Sequence, residues 1–137
     1  MAGYSGTPLV KKLGIRSGSR ALFVSPPEGF ASLVAPLPEG VRILTRARSP
    51  LDFVIVFSKR RRELESKFAR LAAMLEPSGM LWIAWPKVAS GVATDLTGNV
   101  VRGIGLAGGL VDVKVCAIDE IWSGLEFVIR KENRPKA

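Results

Sequence analysis

The chain has 137 residues, 47% hydrophobic and 23% charged, with 20 lysines and arginines against 12 acids and a formal net charge of +8. This length supports one hydrophobic core, so we expect a single domain over residues 1–137. Histidine is absent and Cys116 is the one cysteine. This excludes His-dependent nucleophilic catalysis, His-ligated metals, internal disulfides and cysteine-rich zinc sites. We assign no catalytic residue and expect no metal.

Helical and strand periodicities alternate along the chain. Thr7 and Pro8 begin a short helix that Gly14 ends, so residues 1–19 form an N-terminal helix and arm. The predicted helices cover residues 9–13, 30–35, 59–75 and a stretch that runs from Thr94 or Asp95 to Ala107. The predicted strands cover residues 20–25, 41–45, 52–57, 80–85, 110–118 and 121–130. The polar tail, residues 131–137, is expected to fray.

The strongest pattern lies between residues 52 and 85. Two continuous apolar runs, typical of strands covered on both faces, flank a helix with apolar side chains at helical spacing and Ser58 as its N-cap. A turn at residues 77–79 ends this helix. The pattern predicts a right-handed βαβ crossover between parallel strands. Asp119 and Glu120 separate the last two strands and predict an antiparallel hairpin.

The connection from the strand at 41–45 to the strand at 52–57 leaves two alternatives. Six residues are too few for a helical crossover between parallel strands. Either these strands are antiparallel, or the connection runs extended across one neighbouring strand at about 3.3 Å per residue. In both cases the sequence predicts an α/β fold of three layers, with a mostly parallel sheet that ends in an antiparallel hairpin.

Two details of the last third are also predicted. Gly103 and Gly105 lie inside the last helix, so its final turns are either weakly helical or closely packed. Alternation along the strand at 110–118 predicts four side chains on one face. These are Val111, Val113, Val115 and Ala117.

Residues 75–87, after the amphipathic helix, resemble the late part of a methyltransferase domain that uses S-adenosylmethionine (SAM). The whole chain is more specifically similar, over residues 3–133, to a bacterial domain-of-unknown-function family (number 3052). The segments that carry this similarity are 3–9, 27–30, 85–87, 94–97 and 111–116. The resemblance implies a Rossmann-like, methyltransferase-like sheet, and it implies no particular activity.

The resemblance also places a cofactor site after the first strand. In that fold a glycine-rich loop follows this strand, and an acid ends the second strand and bonds the ribose. Here residues 25–30 contain two prolines and one glycine, and Thr45 and Arg46 end the second strand. We therefore expect no cofactor, and a non-catalytic binding or regulatory module on a methyltransferase-like scaffold. A small SAM-dependent methyltransferase is the alternative, with Ser25, Glu28 and Gly29 as its ligand-binding candidates, and a basic RNA-associated protein is the second alternative.

Two other groups of residues are candidate sites. Lys59, Arg60, Arg61 and Arg62 begin the best helix, where helix N–H groups attract anions, so they predict a phosphate or nucleic-acid contact. The alternative is a solvated turn with Lys59–Glu63 and Arg61–Glu65 pairs. The second group follows the strand at 80–85 and could hold a small anion, or be loop and core structure with Asp95 as a helix cap. It comprises Trp85, Lys87, Ser90, Thr94 and Asp95.

Basic side chains are concentrated in the first half of the chain, where residues 42–70 hold nine basic and three acidic side chains. Such a distribution is typical of a protein with an anionic partner, or of a surface that keeps the protein soluble. No apolar run approaches the roughly 18 residues of a membrane span, and the first residues lack the apolar core of a signal peptide. We expect a cytoplasmic protein without a membrane partner.

Overall fold

The computed structural model describes residues 7–134 as four helices and six strands with two 3-10 turns. The first six residues of the predicted N-terminal helix and arm, and the end of the predicted tail, residues 135–137, lie outside this range. The helices are α1 Leu9–Leu13, α2 Phe30–Leu33, α3 Arg61–Ala73 and α4 Gly98–Ala107. The strands are β1 Arg20–Val24, β2 Arg42–Leu44, β3 Leu51–Phe57, β4 Leu75–Pro86, β5 Leu110–Ala117 and β6 Trp122–Ile129. The 3-10 turns are Val88–Ser90 and Lys131–Asn133.

The six strands form one sheet in the order β2-β1-β3-β4-β6-β5. The first four are parallel, and β6 is antiparallel to both β4 and β5. This confirms the predicted fold class and the hairpin. Because β1 pairs in parallel with both β2 and β3, the second alternative for the short connection is correct: residues 45–50 cross β1 without forming a helix.

Helices and loops cover both faces of the sheet, giving three layers. One core combines α3 and α4 with the sheet face that carries Val54, Leu81 and Phe127. The other combines α1 and α2 with the opposite face. There, the indole nitrogen of the fully buried Trp82 donates a 2.8 Å hydrogen bond to the carbonyl oxygen of Leu13.

The central βαβ unit is as predicted, with two corrections at its ends. Helix α3 begins at Arg61, not at residue 59, and the Ser58 hydroxyl reaches the backbone N–H of Arg60 at 3.4 Å. Strand β4 begins at Leu75, because the predicted turn at 77–79 is a bulge between two paired segments of that strand. Pro77 has no N–H to give to the ladder, which accounts for the interruption.

Helix α4 begins at Gly98, three or four residues later than the sequence predicts. Thr97 is its N-cap, and the Thr97 hydroxyl accepts a 3.2 Å hydrogen bond from the N–H of Val100. Thr94 and Asp95, the predicted caps, bond elsewhere. Close packing requires a glycine at position 105, because a Cβ there would lie 2.0 Å from the ring of Phe127. At Gly103, in contrast, nothing lies within 4 Å of the position of a Cβ.

Strand β5 departs from simple alternation. Its pairing with β6 shifts register between Asp112 and Val115, so a bulge interrupts the predicted single face. Val113 and Val115 are 55% and 60% exposed as a result.

Within the described residues, no helix is long and apolar enough to cross a membrane.

Candidate ligand-binding site

A cavity of about 380 Å³ opens at the carboxyl ends of β1 and β2. One wall is helix α3 and another is the connection that crosses β1. The size falls within the usual range for sites that hold a small organic ligand. The lining residues are Leu22, Phe23, Val24, Ser25, Thr45, Ala47, Ser66, Lys67, Arg70 and Leu71.

The topology favours this position for a ligand. From β1 the chain passes to β2 on one side and then crosses back to β3 on the other, so the winding direction reverses at β1. Open α/β sheets bind ligands beyond the carboxyl ends of their strands at such a reversal. The six-residue connection leaves room there, because it covers the β1 face with Ala47 instead of a helix.

The cavity has apolar, hydroxyl and cationic parts. Leu22, Val24, Ala47 and Leu71 supply apolar surface that suits a planar base. Ser25 and Thr45 supply hydroxyl groups, and Lys67 and Arg70 supply positive charge. Within residues 7–134 these four polar side chains form no hydrogen bond or ion pair with protein. The described lining contains no carboxylate.

Of the three predicted cofactor-loop residues, the structure places one in the cavity. Ser25 lines it and has a φ of 53°, the left-handed conformation that favours glycine. Its backbone therefore adopts a shape expected of a glycine loop without having the glycine. Glu28 and Gly29 are exposed outside the lining, and Gly29, with a φ of 89°, begins α2.

The four basic residues around the start of α3, Lys59 to Arg62, are all exposed. Arg61 pairs with Glu65 at 3.2 Å, one of the two pairs expected of a solvated turn. The Asp95 carboxylate accepts a 2.7 Å hydrogen bond from the backbone N–H of Arg61, and the Thr94 hydroxyl donates to the carbonyl oxygen of Lys59 at 2.6 Å. Asp95 thus occupies the helix end where an external anion was expected.

The predicted group after β4 is held by bonds within its own loops. Lys87 donates through Nζ to the carbonyl oxygen of Asp119 at 2.6 Å. The Ser90 hydroxyl donates to the carbonyl oxygen of Lys87 at 2.7 Å. Trp85 is buried, with its ring 3.7 Å from the position of a Cβ at Gly98. These residues lie apart from the cavity at β1 and β2.

Sequence reasoning missed the α3 wall of the cavity. Lys67 and Arg70 lie one turn apart on α3, both on the same side of the buried stripe and next to Leu71, and both line the cavity. That spacing was visible in the sequence. Their neighbour Thr45 comes from a different element, and only the folded sheet brings the three together.

Two buried titratable groups lie on the opposite face of the sheet, away from the cavity. Burial raises the pKa of the Glu126 carboxyl, and nearby Lys114 and Arg16 oppose this more weakly. Burial also raises the pKa of the Cys116 thiol, and the charges of Lys12 and Lys114 oppose this more weakly. No group of three potential ligands among the described His, Cys, Asp and Glu residues could hold a metal ion.

Sequence comparison matches no protein family and no curated protein, whereas solved structures do match. The fibrillarin pre-rRNA processing protein of Methanococcus jannaschii gives a TM-score of 0.63 at 13% identity, over 94% of this chain and 76% of that one. Precorrin-6y C5,15-methyltransferase from Geobacter metallireducens GS-15 gives 0.63 at 11% identity, over 89% and 86%. Magnesium protoporphyrin IX methyltransferase from Synechocystis PCC 6803, solved with bound SAH, gives 0.59 at 13% identity, over 89% and 78%.

These similarities show that the chain has the Rossmann-like fold of SAM-dependent methyltransferases. They also correct two expectations from the sequence. The non-catalytic module was the wrong first choice, because the matching structures include several methyltransferases. The expectation of no cofactor was wrong for the same reason, since matching structures hold SAM or SAH, its demethylated product S-adenosylhomocysteine. Both findings favour the methyltransferase alternative.

Proposed function

We propose that the protein binds SAM in the cavity at β1 and β2 and acts as a small methyltransferase. The observation that carries this proposal is the cavity itself, which opens at the winding reversal of a methyltransferase-type sheet. The loop after β1 also supports the proposal, because Ser25 has a backbone conformation typical of glycine at the end of this strand. The similarity to the family numbered 3052 rests on sequence motifs and is part of this proposal.

The lining fits most of the cofactor. Leu22, Val24 and Ala47 would contact the adenine, and the hydroxyl groups of Ser25 and Thr45 would bond the ribose. Lys67 and Arg70 would hold the carboxylate of the methionine part. The described lining offers no carboxylate to the sulfonium, so the fit at that one atom is poor. When bound, SAM supplies an activated methyl group for transfer to an acceptor.

A cavity-filling substitution tests the proposed site. Thr45 is exposed and lies outside both cores, so Thr45→Trp should fill the cavity without disturbing the fold. A ligand that binds only the native state adds about 2.7 kcal/mol at a hundredfold excess over Kd, a melting shift of several degrees. We expect this shift with SAM and SAH for the natural protein and none for Thr45→Trp.

Val88→Trp is the matched control, because Val88 is 94% exposed and lies in the turn after β4. This variant should keep the ligand-induced shift. Absence of any shift in the natural protein at millimolar SAM and SAH would refute the proposal. A shift that survives in Thr45→Trp would place the ligand outside this cavity.

A further inference from the structure

The described lining of the cavity has two positive side chains and no negative one, whereas the proposed cofactor has one carboxylate and two positive groups, its ammonium and its sulfonium. Lys67 and Arg70 line the cavity, neither has an acidic partner within the described residues, and no carboxylate lines it. Glu63, one turn from Lys67 on the same helix, forms no ion pair with it in this part of the chain. Glu65, the nearest other acid on α3, is paired with Arg61.

Both cations line the same cavity of about 380 Å³. We therefore expect the charged group of a bound ligand to lie within several ångströms of Lys67 and Arg70. Two cations at such distances change affinity by about threefold to tenfold for each unit of ligand charge at low salt. The remaining lining is apolar with three hydroxyl groups, of which that of Ser66 already donates to the carbonyl oxygen of Glu63, and it suits an adenosine whatever its 5′ substituent.

We infer that this cavity selects adenosine ligands by net charge and binds adenosine 5′-phosphates as well as SAH more tightly than SAM. The inference rests on the proposed function only for the location of the site. At neutral pH, SAM carries one net positive charge and SAH none, while AMP carries about two negative charges. The positive charge of the cavity therefore suits a nucleotide, and SAM should bind more weakly there than either SAH or AMP.

Two matched ligand pairs test the inference by titration calorimetry at low salt. AMP should bind at least tenfold more tightly than adenosine, and SAH at least threefold more tightly than SAM. In the double variant Lys67→Gln/Arg70→Gln both differences should shrink to less than twofold, while adenosine keeps its affinity. AMP should also displace SAH from the natural protein.

The control is Lys59→Gln/Arg60→Gln, which removes the same total charge from exposed residues outside the lining. It should leave both ligand ratios unchanged. If AMP and adenosine bind equally, or if the control lowers the AMP ratio as much as the cavity variant, the inference is wrong. SAM binding as tightly as SAH without displacement by AMP would overturn the inference and leave the methyltransferase proposal standing. AMP binding without SAM or SAH binding would overturn the methyltransferase proposal and leave the inference about AMP standing.

Discussion

The Asp95 carboxylate accepts a hydrogen bond from the backbone N–H of Arg61, 34 residues earlier in the chain, at 2.7 Å. Arg60, at the N-cap position of α3, supplies no side-chain cap. The carboxylate therefore compensates one free N–H and part of the positive end of the helix dipole. This hydrogen bond also joins the loop before α4 to the first turn of α3, so the N-terminal ends of the two helices are held together.

Removing this cap should lower stability. Asp95→Ala leaves the Arg61 N–H without its partner, and we expect a loss of about 0.5–2 kcal/mol in the free energy of unfolding, as measured for other helix caps. Asp95→Asn keeps an acceptor oxygen and should lose less than half as much. Urea denaturation measures both, and equal losses for the two variants would show that charge, not the hydrogen bond, stabilises this end.

Two glycines of α4 make a matched pair with opposite expectations. Gly105→Ala places a Cβ 2.0 Å from the ring of the fully buried Phe127, so the helix or the ring must move. We expect a loss of about 1–3 kcal/mol, typical of an overfilled core. Gly103→Ala meets open space and removes a flexible residue from a helix, so it should gain about 0.5–1 kcal/mol. Thermal melts that reverse this order would mean that α4 is rotated about its axis.

Glu126 should make stability fall as the pH rises. Burial raises its pKa above the ordinary value of 4.5, so the folded protein holds this proton at pH values where the unfolded chain has released it. The free energy of unfolding therefore decreases between the ordinary and the raised value and stays lower above them. Glu126→Gln lacks this decrease, so its stability relative to the natural protein should increase with pH. Urea melts from pH 4 to pH 8 test this.

A constant difference between Glu126→Gln and the natural protein across that range would contradict the burial argument. Lys114 offers a further control, because its charge lowers the pKa of Glu126. Lys114→Gln should make the decrease of stability with pH larger. No change in slope would mean that Lys114 does not act on this carboxyl in solution.

The basic residues around the start of α3 should bind nucleic acid only through charge. Asp95 already occupies the helix end, so no built phosphate site remains there, and the four side chains Lys59, Arg60, Arg61 and Arg62 are exposed. Any RNA affinity should fall linearly in log K against log salt and vanish when all four become Gln. Sequence-selective binding in filter or anisotropy assays would contradict this, and no binding at low salt would leave these residues as a solvated surface.

The central part of the fold was predictable because its signals are local. The apolar runs of β3 and β4 and the stripe of Leu64, Phe68 and Leu71 on α3 depend on residues close in sequence. The errors come from partners far apart in the chain. Thr94 and Asp95 have the chemistry of helix caps, and the sequence does not reveal that they bond Lys59 and Arg61 instead of the next helix.

The candidate site was predictable only in part for the same reason. The sequence pointed to the loop after β1, and Ser25 of this loop lines the cavity, whereas Glu28 and Gly29 lie outside it. Thr45, Lys67 and Arg70 were not chosen, because they come from two elements that meet only when residues 45–50 cross β1. The bulge in β5 likewise depends on its pairing with β6, and alternation alone placed Val113 and Val115 on one face.

The position of β1 has a consequence for how the chain is made. Strand β1 has five residues and is hydrogen-bonded on both edges, to β2 and to β3, which comes later in the chain. A growing chain that has not yet exposed Phe57 can form only the β1–β2 pair, and two strands alone are at best marginally stable. The second edge of β1 therefore stays unpaired until β3 has left the ribosome. We expect the β1–β2 part of the sheet to become stable only after the strands at its centre have been made.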